Sequence, residues 1–160
     1  HQRILPFIGI SRYNMNTVLV SQYYPKGNLT KYLLHNPTAD RHRLVLEVAE
    51  AVNFLHHEAG AVHGDLKCDN VLISDEDTAV LADFGLSTVV EKSEDDLTTV
   101  TDIRRANTLR FCAPELLLDD GVLQGGRRRS KTKESDVYAF GMLILQVRSR
   151  VAMIPSAVIY

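Results

Sequence analysis

The chain has 160 residues, 45% of them apolar and 24% charged, which is enough for one domain with its own core and argues against disorder throughout. A formal net charge of −2 and a pI near 6.3 give no overall electrostatic pull toward nucleic acid or an anionic membrane, so neither is expected as a partner. The two cysteines, Cys68 and Cys112, are too few for a disulfide scaffold and no secretory leader is read at the opening residues; an intracellular, cytoplasmic setting is expected.

In chain order, Ile8 to Ile10 and Thr17 to Val20 are β-branched runs on either side of the polar stretch Ser11 to Asn16, which predicts an antiparallel pair joined by a loop. Pro25, Gly27 and Asn28 punctuate the chain, and Asn28 is an N-cap candidate for a short helix through Leu34. Asp40 can cap a second helix. In it Leu44, Val48, Val52 and Leu55 recur at the spacing of one helical stripe, running to about His57, with Gly60 suited to the exit. Val71 to Ile73 and Ala79 to Leu81 flank the turn-forming Ser74 to Asp77 and read as a small hairpin. Glu91 to Thr101 is acidic and hydroxyl-rich, and is expected to be a mobile loop. Gly125 to Lys133 reads as a solvated basic loop rather than a docking or import signal. Val137 to Val147 is far short of the roughly 20 residues a spanning helix needs. Ser135 to Val147 is apolar nearly all round and reads as a helix buried inside a larger body.

Three short segments carry the chemistry. They are His63-Gly64-Asp65-Leu66-Lys67-Cys68-Asp69-Asn70, then Asp83-Phe84-Gly85 after the hairpin, then Ala113-Pro114-Glu115. Taken singly, Asp65 and Asp69 fit surface turns and Asp83 fits an N-cap. Their order and separations resemble the signature set of the protein kinases. The resemblance implies an α+β fold: a partial protein-kinase-like domain, mostly the helical C-terminal lobe with a remnant of the N-lobe sheet. It runs over residues 1–147 and leaves 148–160 as an off-pattern tail.

That resemblance assigns roles that the chemistry of phosphoryl transfer makes sense of. An acceptor hydroxyl must be held in line while charge on the transferred group is neutralised. Asp65 would orient the substrate hydroxyl and accept its proton, and Lys67 would reach the phosphate as a point charge. Asn70 and Asp83 supply one neutral and one anionic oxygen, the hard donors magnesium prefers when it is shared with ATP phosphates. Leu19 to Gly27 is similar to the hinge, which makes Ser21 the gatekeeper and places adenine against the backbone of Gln22 and Tyr24, over Leu72. Asn107 to Glu115 resembles the substrate-facing loop, with Thr108 set to hydrogen-bond Asp65, although Asn107 stands where the family has glycine. Asp136 matches the aspartate that anchors the catalytic-loop backbone. His63 is expected to be a packed structural histidine against Phe84 rather than a base.

The opening His-x-x-Ile-Leu-Pro-Phe-Ile-Gly-Ile, His-Gly-Asp and Ser-Asp-Val-Tyr-Ala-Phe-Gly resemble the tyrosine-kinase-like group, fungal members most, which mostly phosphorylates serine and threonine. Gly64 stands where many kinases carry the arginine that clamps an activation-loop phosphate, so that ion pair is not expected here. The glycine-rich loop, the strand lysine with its helix glutamate, and the helices after the central one have no counterpart in this sequence. Two function classes follow. One is a Ser/Thr protein kinase (less so Tyr), using ATP and Mg2+ on a protein substrate in intracellular signalling, with this chain incomplete and poorly active alone. The other is a kinase-like binding or regulatory module without catalysis.

Overall fold

A computed structural model describes residues 1–14, 16–83, 109–117 and 131–149. It is α+β. The expected mobile loop Glu91 to Thr101, Phe84, Gly85, Asn107, Thr108, most of the basic stretch and the tail beyond Ser149 lie outside the described residues.

Strands β1 (Phe7–Tyr13) and β2 (Asn16–Ser21) pair antiparallel, with Ile10 opposite Leu19 and Tyr13 opposite Asn16. The loop expected from Ser11 to Asn16 is thus shorter than read, because Ser11 and Arg12 pair with Val18 and Thr17 through backbone groups that need no apolar side chain. This ribbon is nearly bare. Phe7, Ile8, Ile10, Tyr13 and Leu19 are all more than half exposed.

Helix α1 (Leu29–His35) starts at Asn28, whose side-chain oxygen accepts the Lys31 N–H at 3.0 Å. Helix α2 (Arg41–Asn53) starts at Asp40, which accepts the Arg43 N–H at 3.0 Å. Both caps satisfy a first-turn donor that has no partner within the helix. The α-helical part of α2 ends at Asn53, and a wider π turn, Phe54–Glu58, carries the coil on. The chain then leaves at Gly60, whose φ of 63° is the left-handed conformation glycine adopts without a Cβ penalty.

Strands β3 (Val71–Ile73) and β4 (Ala79–Leu81) form the second antiparallel pair. Both of its edges are used. Leu81 donates to the Arg3 carbonyl and accepts from Leu5, both at 2.8 Å, while Ile73 donates to the Gly27 carbonyl at 2.9 Å. Buried Glu47 on α2 reaches the hairpin as well, accepting the Ala79 N–H at 2.7 Å on one oxygen and facing Arg3 at 3.2 Å with the other. A buried carboxylate needs such partners to offset its desolvation.

After the short helix α3 (Pro114–Leu117), helix α4 (Lys133–Arg148) begins two residues before the expected start. Thr132 caps it reciprocally with Ser135, so the basic stretch ends in a helix cap rather than running as loop to Lys133. Ser135, Asp136, Ala139, Leu143 and Val147 form its buried stripe. Val137, Tyr138 and Leu145 are exposed among the described residues. Leu143 and Val147 join Leu44, Val48, Leu55, Leu66, Val71 and Leu81 in one core, at about 1.5 to 3 kcal/mol for each fully buried aliphatic side chain.

Candidate active site

The core positions one irregular segment, Ala61 to Asn70, between α2, α4 and the β3–β4 hairpin. Only its end pairs with itself, in a 3-10 turn at Cys68–Asn70 where the Asn70 N–H donates to the Lys67 carbonyl at 3.0 Å, and side chains supply partners for the rest. Asp136, 1% exposed on α4, accepts the His63 N–H at 2.7 Å on one oxygen and the Gly64 N–H at 2.8 Å on the other. The same carboxylate receives His56 Nε2 at 2.9 Å. Because a carboxylate only accepts, that ring nitrogen carries the proton.

Gly64 has φ of 78°. Glycine holds that conformation without strain, and the turn aims its N–H at Asp136. His63 is 1% exposed, with Nε2 on the Ala82 carbonyl at 2.9 Å and Nδ1 accepting the Asp65 N–H at 3.2 Å. The acceptor role at Nδ1 leaves Nε2 as the donor, so the ring is a neutral spacer between the loop and β4. Burial lowers its pKa, against the raising effects of the Ala82 bond and of Asp136, Asp65 and Asp83. It is the structural histidine the sequence suggested; Phe84 is not among the described residues.

Asp65 is partly exposed, and two other residues of the predicted site, Lys67 and Asn70, converge on it. Its Oδ2 accepts Lys67 Nζ at 2.7 Å and Asn70 Nδ2 at 2.9 Å, and its carbonyl accepts the same amide at 2.8 Å. Both acceptors demand the NH2 end of Asn70, which assigns the amide orientation and leaves Oδ1 as the atom able to meet a cation. Asp83 follows Ala82, whose N–H donates to the Asn70 carbonyl at 2.8 Å and whose carbonyl is held by His63. Asp83 itself is exposed, with φ of 59°. One neutral and one anionic oxygen are therefore held on neighbouring backbone, a donor set that fits magnesium shared with phosphates. Among the described residues no group of three or more His, Cys, Asp or Glu side chains could hold a metal by itself.

The other predicted residues are less tightly gathered. Gln22 is exposed just after β2, and Tyr24 is half-buried with its carbonyl accepting the Gly27 N–H at 3.1 Å. Leu72 is half-buried on β3, bridged to Asn28 at the end of the hinge segment. Phe111, Cys112 and Leu116 of the segment leading into α3 share a cavity of about 60 Å3 with Gly64, Asp65, Leu66 and Asp136, so that segment lies against the catalytic loop. A larger cavity of about 500 Å3, lined by Arg41, His42, Val45, Ile144 and Arg148, lies between the first turn of α2 and the last of α4, away from this chemistry. Cys68 is no nucleophile, since burial pushes its thiol up to about 12.

Sequence reasoning missed His56 and Lys133, whose Nζ donates to the His56 carbonyl. A histidine at the end of an amphipathic stripe gives no sign that its partner is a helix 80 residues on.

These features define a scaffold of the protein-kinase type. A sequence model of the family described as protein tyrosine and serine/threonine kinase matches residues 1–155. The chain belongs to the protein kinase family. It is similar to the L-type lectin-domain containing receptor kinase V.4 of Arabidopsis thaliana, 35% identical over 155 residues that make up 92% of this chain and 22% of that protein. The LRR receptor-like serine/threonine-protein kinase RGI5 of the same plant is 29% identical over 154 residues, 93% of this chain and 13% of the relative. The chain thus spans about a fifth or less of the length of these relatives. No helix among the described residues is long and apolar enough to cross a membrane.

Proposed function

We propose that this chain carries the catalytic loop and magnesium-binding half of a protein kinase site, transferring the γ-phosphoryl group of ATP to a serine or threonine hydroxyl of a protein substrate in intracellular signalling. The observation that carries the reading is the convergence of Lys67 Nζ and Asn70 Nδ2 on Asp65 Oδ2. Two donors fix one oxygen of that carboxylate and so its plane, which is what a group that must meet an incoming hydroxyl in line requires. Lys67 would turn from Asp65 toward the transferred phosphoryl oxygens, its charge compensating theirs. Asn70 Oδ1 and the Asp83 carboxylate would hold Mg2+, which supplies charge neutralisation at the phosphates when bound. Gln22 and Tyr24 would meet the adenine edge through their backbone, with Leu72 beneath it, and Thr108 would hydrogen-bond Asp65 from the substrate loop. The serine and threonine preference is supported by the printed name of the LRR receptor-like relative.

The test is incorporation of labelled γ-phosphate into a generic protein substrate by the chain joined to the glycine-rich loop, strand lysine and later helices of the family pattern, and by the same protein with Asp65→Asn, which keeps the shape and removes the base. Loss of about 100-fold or more is expected. Transfer indifferent to Asp65→Asn would overturn the assignment. Nucleotide binding without any transfer would favour a kinase-like binding module.

A further inference from the structure

Outside the catalytic loop, four elements meet at one residue, Asp77: the hinge exit and α1 at its carboxylate, α2 at its carbonyl, and the turn that carries it. Asp77 closes the turn from β3 to β4 with φ of 59°, a conformation that glycine adopts most easily and that aspartate and asparagine tolerate. The turn does not need its side chain, because Ser74 Oγ already accepts the Glu76 and Thr78 N–H groups at 3.2 Å and pairs with Thr78 Oγ1 at 2.8 Å. Every side-chain partner of Asp77 comes from elsewhere. Oδ1 accepts Lys26 Nζ at 2.7 Å and the Tyr32 hydroxyl at 2.8 Å, and the Asp77 carbonyl accepts the Arg43 guanidinium at 2.8 Å. Lys26 also donates to the Asp75 carbonyl at 2.7 Å.

Lys26 stands two residues beyond Tyr24, at the exit of the hinge, and Tyr32 is on α1. The same exit is stitched to β3 by the bond from Ile73 N–H to the Gly27 carbonyl and by the bridge between Asn28 and Leu72. The hinge and the hairpin bearing Leu72 are therefore joined by backbone at one point and by the ion pair at the hairpin's tip. Two points of attachment fix an angle where one would leave a pivot.

We propose that Lys26 and Asp77 are positioning residues for the nucleotide: their ion pair, buttressed by Tyr32, sets the gap between the hinge backbone at Gln22 and Tyr24 and the side chain of Leu72, and so the width of the slot for a purine ring. The inference rests on the kinase reading above. Neither residue touches the nucleotide. Loss of the pair loosens the slot without changing Asp65, Lys67, Asn70 or Asp83.

The experiment uses the chain joined to the same glycine-rich loop, strand lysine and later helices, unsubstituted and as Lys26→Met, Asp77→Asn, the double variant and Lys26→Arg. Asparagine keeps the left-handed turn and a neutral hydrogen bond, so folding is retained. ADP with Mg2+ is titrated by calorimetry, and KM for ATP and kcat are measured on a generic protein substrate. Each single variant is expected to raise the ADP Kd and the ATP KM about three- to tenfold with kcat changed less than about twofold, as for residues that act on a site through others. The double variant should be no worse than the worse single one, and Lys26→Arg should restore most of the affinity. A merely structural role would lower the active fraction, and hence kcat, and leave KM alone. Unchanged Kd and KM, additive singles, or a loss confined to kcat would each overturn the proposal while the kinase reading stands; failure of the unsubstituted chain to bind ADP with Mg2+ would overturn both.

Discussion

The two antiparallel pairs of this molecule have the same local geometry and opposite surroundings. In β1–β2, every residue but Gly9 and Val18 is exposed, and Ile8 and Ile10 are 65% and 66% exposed. In β3–β4, Val71, Ile73, Ala79 and Leu81 are 1% exposed or less, both edges are hydrogen-bonded, and Glu47 and Asp77 tie the hairpin to α1, α2 and the hinge. Strand propensity alone would rank the longer, more β-branched ribbon first. Burial and edge pairing reverse that order, because an isolated two-stranded ribbon is at best marginally stable in water. The region that carries the proposed catalytic groups is the one stitched from every side.

The sharpest way to break the stitched region is Asp136→Ala. The His63 and Gly64 N–H groups and His56 would lose their shared acceptor in a buried site. Stripping one side of a buried polar cluster costs about 3 to 5 kcal/mol, and urea unfolding should register that loss together with abolished phosphoryl transfer. Asp136→Asn, which keeps one acceptor, should fall between. A loss below about 1 kcal/mol for the alanine variant would mean that the loop backbone finds other partners.

Gly64→Ala tests the same loop through its backbone. A Cβ at φ of 78° costs about 1 to 2 kcal/mol, with no side-chain contact removed. Chemical denaturation should show the loss, and no change in stability would mean that the peptide rotates to a relaxed conformation. Transfer activity should then fall through the displaced N–H to Asp136.

His63 adds a pH dependence of known sign. Burial holds its folded-state pKa below the ordinary 6.5, so between that folded value and 6.5 the unfolded chain binds more protons. The contribution of neutral His63 to stability is therefore complete above about 6.5 and is lost as pH falls through that window. Urea midpoints measured from neutral to mildly acidic pH should decline less steeply in His63→Gln than in the parent chain. Parallel pH profiles would show that the imidazole is not kept neutral by the fold.

Much of the stitched region was legible beforehand because its signals are local. Asn28 and Asp40 precede apolar helices, Gly60 follows one, and Leu44, Val48, Val52 and Leu55 keep helical spacing; all behave as read. Asp65, Lys67 and Asn70 lie within six residues of one another, and their contacts follow from one turn of chain. What stayed hidden acts over distance: His56 with Asp136, Lys26 with Asp77, Arg3 with Glu47. Each is a long polar side chain whose partner is chosen by how the helices pack, and no spacing rule encodes it. Composition reports how apolar a helix is, and neighbouring elements decide how much of it they cover.

The smallest expected effect belongs to the ribbon. Ile10→Ser removes an aliphatic side chain that is 66% exposed and lies opposite Leu19, itself 52% exposed, so little buried area is lost. The change in unfolding free energy should stay within about 0.5 kcal/mol, as for ordinary surface substitutions. Amide exchange should agree, fast across Phe7 to Ser21 and slow across Val71 to Leu81, because a ribbon with few buried contacts opens at little cost while the hairpin opens only with the core. A loss of about 2 kcal/mol or more for Ile10→Ser would mean that the ribbon's apolar side chains are buried against another surface in solution. The two pairs would then differ in when their cover arrives: the hairpin takes its cover from helices folded with it, and the ribbon would take its own from whatever docks on Phe7, Ile8, Ile10 and Leu19.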